Sequence, residues 1–399
     1  MKKKDNGRKI YRTKEKNYYE KSTFEKVMST VLTVFLIGGI GFLGYSTAEP
    51  LINFTKHMGD EPEPTTEDVV PPEETTTDEQ PETETTVPTA TEAPTAPPVT
   101  MEAYGAYSLT VTDLESEQSL QTALEKIPKN QGIEYVEVPL KTKGGMIYYL
   151  STVVTDAKLK EFQKLNLVKI SEMIKSNGYT PSALVSTFND NIMPTINKET
   201  GYIRTDGSLW EDTALNSWLT PFSQNTVDYL VSVVNEITGT GFDHIVCTDF
   251  VFPDFTANDL KNLDERLSRN DRCVSLTSTA NLLYNTSVAN GATMFIEVSA
   301  VDVLAQKADI LQSMLLTANT IVLNINIDEL GEGVSDGRNY YEFSGTPAEK
   351  VKKCLGFISE FLYDFNVAVR ISGSSLTSQE LISVRDTILD FGYNSFVLG

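Results

Sequence analysis

Histidine is nearly absent from this chain: 399 residues contain only His57 and His244. That scarcity argues against Ser-His and Cys-His nucleophilic chemistry and against a His-rich metal site. Cysteine is almost as rare. Cys247, Cys273 and Cys354 show no CxxC spacing, so neither a zinc site nor a disulfide framework is expected. Basic residues are in deficit as well, with 33 Lys and Arg against 55 Asp and Glu and a net charge of −22. A chain of that sign is unsuited to neutralising phosphates, which argues against a nucleic-acid partner. Chemistry therefore falls to carboxylates, Lys, Arg and Tyr, with no cofactor or metal expected.

Other absences are local, and they divide the chain. Residues 1–26 carry ten Lys or Arg and four acids, and residues 27–48 carry no charge at all. A 22-residue uncharged run spans about 33 Å as a helix, enough to cross a hydrocarbon core of about 30 Å. The basic residues precede it, so the positive-inside bias predicts a cytoplasmic N-terminus, a transmembrane helix over 27–48 that contacts the lipid bilayer, and an extracellular remainder. Ser46-Thr47-Ala48 would also serve as a signal-peptide cleavage site, but the apolar run and its basic lead are both long for that role. Residues 60–100 hold 12 Thr, 9 Pro and 12 acids, with no aromatic, Leu, Ile or Gly. Such a segment cannot bury enough apolar surface to offset its ordering entropy. Residues 49–100 are therefore expected to form an extended acidic linker that carries a domain over 101–399. A cysteine-poor, outward-facing domain of this kind suits a bacterial surface protein better than a disulfide-stapled ectodomain.

Within 101–399, β-like runs alternate with helical periodicity. Strands are predicted over 103–109, 133–140, 183–188, 244–250, 293–298, 320–326, 367–372 and 395–398. Helices are predicted over 116–127, 158–176, 223–237, 258–289, 302–316, 346–363 and 377–391. Ser223 precedes a helix with Val227, Leu230, Val231, Val234 and Ile237 at helical spacing, and Thr377 to Glu380 reads as a capping box. Eight strands separated by helices in about 300 residues predict an α/β fold of the (β/α)8, TIM-barrel type. The alternative, a doubly wound open sheet, would lack its Gly-rich phosphate fingerprint.

A barrel works at the C-terminal ends of its strands. The fourth reads GFDHIVCTDFVFP with Asp249 near its end, and the fifth reads TMFIEVSAVD. In the fifth, Met294, Ile296 and Val298 alternate with Phe295 and Glu297; if the first set faces the helices, Glu297 points inward. Asp249 and Glu297 on adjacent strands form the pair of carboxyl groups that glycosidic cleavage requires. The competing reading makes each an ordinary acid of an acidic domain. Around them Phe188, Trp210, Trp218, Phe250 and Phe252 are candidates to stack on sugar rings or to pack between long loops. Arg370 is a candidate to bind an anionic group, or else to pair with an acid inside the barrel. The acidic stretch Ile327 to Gly337 lacks the order of a calcium loop and reads as a solvated loop.

GFDHIVCTDFVFP, preceded by WLTPFSQNTVDYLVSVVNEI, resembles a bacterial glycoside-hydrolase-like barrel family, a surface domain related to the alpha-amylase-type barrels. The shared pattern falls on Trp218, Pro221, Gly241, Phe242, Asp243, Ile245, Asp249, Phe252 and Pro253. Further similarity lies in PLKTKGGMIYY, STFNDNIMP and GSLWED, and the whole resemblance spans about 103–399. It implies a polysaccharide or cell-wall glycan as partner, with Asp249 and Glu297 catalytic and Lys141, Asp190, Trp210, Trp218, Phe250, Phe252 and Arg370 contacting substrate. The alternative is an inactive barrel that binds a glycan or wall component, or scaffolds a partner. The chain departs from the family pattern in several places. Pro139 stands where an Asp is usual, Thr248 occupies the position of the strand-four acid, and Val251 replaces an Arg. VAVRISGSSL contains no carboxylate after strand seven. The one-residue shift to Asp249 reverses its side chain unless the backbone is irregular there.

Overall fold

The computed structural model describes residues 103–399 apart from 157–158, 264–266, 313–314, 363 and 374–375. The expected basic tail, transmembrane helix and linker lie outside the described residues. Among the described residues no helix is long and apolar enough to cross a membrane.

Eight parallel strands close into a barrel: β1 Gly105–Ser108, β2 Tyr135–Lys141, β3 Thr180–Ser186, β4 His244–Thr248, β5 Thr293–Ser299, β6 Thr320–Asn326, β7 Asn366–Ser372 and β8 Phe396–Leu398. Each pairs with its neighbours in sequence, and β1 closes the ring against both β2 and β8. The connecting helices are α1 Glu117–Lys126, α2 Leu167–Ser176, α3 Gln224–Thr238, α4 Arg269–Ala289, α5 Ala300–Leu304, α6 Pro347–Ile358 and α7 Ser378–Asp390. This is the predicted (β/α)8 architecture.

The strand pattern decides which residues fill the barrel. Ile245, Cys247, Met294, Ile296, Val298, Ile321 and Leu323 join the large cluster under the helices, whereas Ala106, Tyr135, Val246, Phe295, Val322, Ala368 and Val397 form a separate inner cluster. The period of two thus divides each strand between the two cores. At the N-terminal end of the barrel the inner layer is aromatic. Tyr104, Tyr135 and Phe295 surround the ring of His244, with centroids 5.8, 4.8 and 5.5 Å from it.

Helix boundaries follow local chemistry. Thr377 and Glu380 form the expected capping box on α7, with Glu380 accepting from the Thr377 amide at 2.8 Å. At α3, Ser223 occupies the cap position, but its hydroxyl donates to the Glu199 carbonyl instead. Four predicted helices are shorter or divided, and the one expected over 346–363 ends at Ile358. The span expected over 158–176 is helical only from Leu167, where the Asn166 side chain accepts from the Lys169 amide. The span over 258–289 divides into Asp259–Asn262 and α4, which starts at its Ser268 cap. The span over 302–316 becomes α5 and a short turn at Asp309–Gln312, because Gln306 takes a positive φ of 56° that an α-helix does not tolerate. The stretch read as a solvated loop is ordered: Ile327–Leu330 is a helical turn, and Gly333–Ser335 pairs with Tyr340–Glu342. The Asp336 carboxylate caps that ribbon by accepting from the Arg338 and Asn339 amides at 2.7 and 2.6 Å.

His244 carries a testable consequence. Burial among the inner rings lowers its pKa from 6.5 to about 4, and its Nδ1 has no hydrogen-bond partner among the described residues. The folded chain therefore keeps this ring neutral, while the unfolded chain protonates it near pH 6.5. Folding stability should fall as pH drops from about 6.5 to about 4, by on the order of 3 kcal/mol from this group. Urea unfolding of wild type and His244→Phe across that range checks it: wild type should lose stability relative to the variant toward acid, and a difference independent of pH would refute it.

Candidate active site

Strand alternation carries Glu137 of β2, Glu297 of β5, Asn324 of β6 and Arg370 of β7 into the upper part of the barrel. Arg370 joins them. Its Nη1 lies 2.6 Å from Glu137 Oε2, and its Nε lies 2.6 Å from Glu297 Oε2. The second oxygen of Glu137 accepts from the Tyr104 hydroxyl at 3.0 Å. Glu297 Oε1 accepts from Asn324 Nδ2 at 3.1 Å, and Ser372 Oγ donates to Asn324 Oδ1 at 2.8 Å. The amide of Asn324 is thereby oriented so that its donor faces Glu297. Of the two expectations for Arg370, pairing with an acid inside the barrel matches this geometry.

One guanidinium shared by two carboxylates leaves one negative charge in excess. Glu137 is fully buried, whereas the Glu297 side chain retains 14% exposure toward the mouth. Burial pushes the Glu297 carboxyl above the ordinary glutamate range; Arg370 opposes this, and the charges on Glu137 and Asp249 reinforce it. Burial alone would lower Arg370, but Glu137 and Glu297 together raise it, so it stays a cation.

Asp249 follows β4 directly, where simple alternation would turn it toward the helices. Its φ of 57° breaks the alternation, and Asp is among the few residues that tolerate this left-handed conformation. Its Oδ2 accepts from the Thr248 hydroxyl at 2.8 Å, and its Oδ1 lies 3.5 Å from Lys143 Nζ. Asp249 is 8% exposed at the side chain and Lys143 is 74% exposed, so a lysine on the surface covers a recessed carboxylate. Asp249 in turn raises the Lys143 pKa despite partial burial. The irregularity that a displaced acid required is thus present as a single left-handed residue.

Several sequence candidates are placed away from any ligand-accessible surface. Lys141 and Asp190 are fully buried and bonded to each other at 3.0 Å. Lys141 also donates to the Ser186 carbonyl at 2.7 Å, and Asp190 accepts from the Ile192 and Met193 amides and from the Tyr229 hydroxyl. Their partners are all internal, so they tie β2 to the loop after β3 instead of reaching a substrate. Trp210 and Phe250, with Phe188, are buried too. Trp210 packs 4.9 Å from Phe255, and Phe250 meets Phe188 edge to face at 5.4 Å. These three rings follow the loop-packing reading because the long β3–α3 and β4–α4 loops fold over them. Trp218 and Phe252 differ. Both line an open cleft of about 590 Å³ beside the mouth.

Glu137, Asn324 and Lys143 were not among the sequence candidates. Glu137 had a local signal, a lone acid between Val136 and Val138 in a strand. Its position relative to Arg370 depends on barrel closure. The arrangement predicts that Glu137→Gln frees Arg370 to serve Glu297 alone. The midpoint of Glu297 in a carboxyl ¹³C NMR titration should then move to lower pH, with the barrel still folded by circular dichroism. An unchanged midpoint would show that the two acids are not coupled through Arg370.

Residues 106–321 match the family described as "putative glycosyl hydrolase domain". No curated protein matches the chain. Among solved structures, the glycoside hydrolase domain of PgaB (BpsB) from Bordetella bronchiseptica aligns with a TM-score of 0.52 at 9% identity, covering 75% of this chain and 94% of that one. An alpha-galactosidase from Thermus thermophilus aligns at 0.48 with 11% identity, over 74% of this chain and 61% of that one. A hypothetical protein from Ruminiclostridium thermocellum is 19% identical over 48% of this chain and 96% of its own, with a TM-score of 0.38. At such identities the first of these likenesses is one of fold. The family match covers more than half of the chain and includes β4, Asp249 and Glu297, so this protein belongs to the family described as a putative glycosyl hydrolase domain.

Proposed function

We propose that the barrel hydrolyses a glycan of the cell surface or its surroundings, with Glu297 as general acid and Asp249 as nucleophile or base. The observation that carries this reading is the asymmetry between the two carboxyls. Burial raises the proton affinity of Glu297, while Asp249 faces the Lys143 cation and a hydroxyl donor. Two acids whose surroundings differ in this way divide the roles of proton donor and ionised partner. In the reaction, the Glu297 proton passes to the bridging oxygen as the bond to the anomeric carbon breaks. Asp249 either forms the ester to that carbon or takes a proton from the attacking water. Lys143 must yield its contact when a sugar arrives, which its exposure permits.

The second reading, an inactive barrel that binds or scaffolds, draws on one observation. The Arg370 contact to Glu297 at 2.6 Å favours the ionised form, which cannot donate a proton. The two readings diverge in an experiment on the full chain. If Glu297 is the acid, turnover should fall as pH rises through its raised pKa. Glu297→Gln should cost about 10²- to 10⁴-fold on natural oligosaccharides and far less on aryl glycosides, whose leaving group needs no proton. Asp249→Asn should lose both. Turnover unaffected by either substitution would reject the assignment, and no turnover by wild type on any glycan would favour the binding reading.

The uncharged run over 27–48, its basic lead and the acidic Thr- and Pro-rich 49–100 support a single-pass surface protein with a cytoplasmic N-terminus and the barrel outside. Protease treatment of intact cells should remove the barrel and leave an N-terminal tag protected; protection of the barrel would reverse this topology.

A further inference from the structure

Glu297 has a donor at each oxygen. Arg370 Nε lies 2.6 Å from Oε2, and Asn324 Nδ2 donates to Oε1 at 3.1 Å. These neighbours belong to the barrel wall itself: Asn324 stands beside Ser299 of β5 and Arg370 of β7, and Ser372 follows Arg370 on the same inward face. The arrangement suits a carboxylate, which accepts at both oxygens. It opposes a carboxyl group, whose proton would meet an N–H on either side. An acid must nevertheless hold its proton before giving it. A guanidinium has N–H donors and no acceptor, so the Arg370 side offers that proton nothing. Only the Asn324 side is able to change.

A carboxamide carries an acceptor and a donor of nearly equal size, and exchanging them by a rotation of about 180° displaces no neighbour. What usually forbids the exchange is a second partner that fits one orientation alone. Here the second partner is a hydroxyl. Ser372 Oγ donates to Asn324 Oδ1 at 2.8 Å, and the same oxygen has lone pairs to accept from Nδ2 once its own hydrogen has turned away. Two fully bonded arrangements therefore exist. In one, Ser372 donates to Asn324 and Asn324 donates to an ionised Glu297. In the other, a protonated Glu297 donates to Asn324 Oδ1 and Asn324 Nδ2 donates to Ser372. The direction of each hydrogen bond reverses, and none is lost.

We propose that Asn324 is a positioning residue that reverses its carboxamide as Glu297 gains or loses its proton, with Ser372 as the pivot that stays bonded in both states. This role rests on the reading of Glu297 as general acid and supplies the state in which that acid is loaded. The proton sits on Oε1 against Asn324 Oδ1. When the bridging oxygen of a glycan takes it, the O–H bond breaks with its electron pair left on Oε1, and Asn324 returns its N–H to the new anion. The other charges around Glu297 are Arg370 on β7, Glu137 on β2 beyond it, Asp249 after β4 and Lys143 after β2. They set the pH at which Glu297 titrates, whereas Asn324 responds to its charge.

The test is NMR of the full chain with ¹⁵N-labelled asparagine and ¹³C-labelled glutamate carboxyls. Below the Glu297 midpoint the Asn324 amide hydrogens should show stronger cross-relaxation with the Ser372 β hydrogens, because Nδ2 then faces Ser372. Ser372→Ala should move the Glu297 midpoint to lower pH by about half a unit: the reversed amide loses its acceptor, while the direct N–H bond to the anion survives. A serine that merely held the amide in place would give the opposite sign, since its loss would weaken that N–H bond. Ser372→Thr, which keeps the hydroxyl, should restore the midpoint and so exclude a folding defect. In turnover, the limb that falls as pH rises should move with the midpoint in each variant. An Asn324 amide that faces Glu297 at every pH, or a Ser372→Ala midpoint unchanged or moved to higher pH, would overturn the proposal while leaving Glu297 as the acid. Reversal of the amide with these shifts, in a chain that turns over no glycan, would keep the switch and remove the hydrolase reading.

Discussion

A single guanidinium links the two acids inside the upper barrel. Arg370 contacts Glu137 across the barrel and Glu297 on the other side, both at 2.6 Å, and each contact needs strands distant in sequence to stand at the correct height. Burying a cation is costly unless its partners are close and well oriented. Here two acids supply more negative charge than one arginine needs. The excess is removed from water and falls on the acid nearest the mouth. Much of what distinguishes Glu297 from an ordinary surface glutamate follows from that sharing and from burial.

The mouth depends on a second constraint, the backbone at Asp249. Period-two alternation would place this side chain among the helices, where a carboxylate would need buried partners. A left-handed residue redirects it toward Thr248 and Lys143. An acid at position 248 would point inward by alternation alone and would not need this device. The chain therefore places a carboxylate near the strand end by a left-handed backbone step, with Thr248 beside it as a hydrogen-bond donor.

Polar residues that look functional in the sequence divide by where their partners lie. Lys141 and Asp190 satisfy one another and nearby backbone groups inside the protein, and removing either would strand a buried charge at about 3–5 kcal/mol. Their place is architectural. Trp218, Phe252 and Asp302 instead line an open cleft. The family match shows descent within a glycosyl-hydrolase-like group, and a fold shared at 9% identity carries no chemistry with it, because barrels of this type serve many reactions. The proposed function therefore rests on the side chains at the mouth.

The eight strands were legible in the sequence because β alternation and turn residues are local signals; most predicted boundaries fall within about two residues of the observed ones. The strand expected over 183–188 instead runs Thr180–Ser186, since pairing with β2 extends it back through Pro181, a residue that reads as a breaker. Helices were overextended where a cap or a positive φ, as at Ser268 and Gln306, ends a pattern that the apolar spacing continues. The inward direction of Glu297 could be read from its neighbours alone. The sequence by itself determined the strand order, the two faces of each strand and the residue types available for chemistry. Only the tertiary structure decided which acids share Arg370, that Asp249 turns to the mouth, and which aromatics are buried. Those outcomes depend on distances between residues far apart in the chain, and barrel closure sets such distances where no local pattern can.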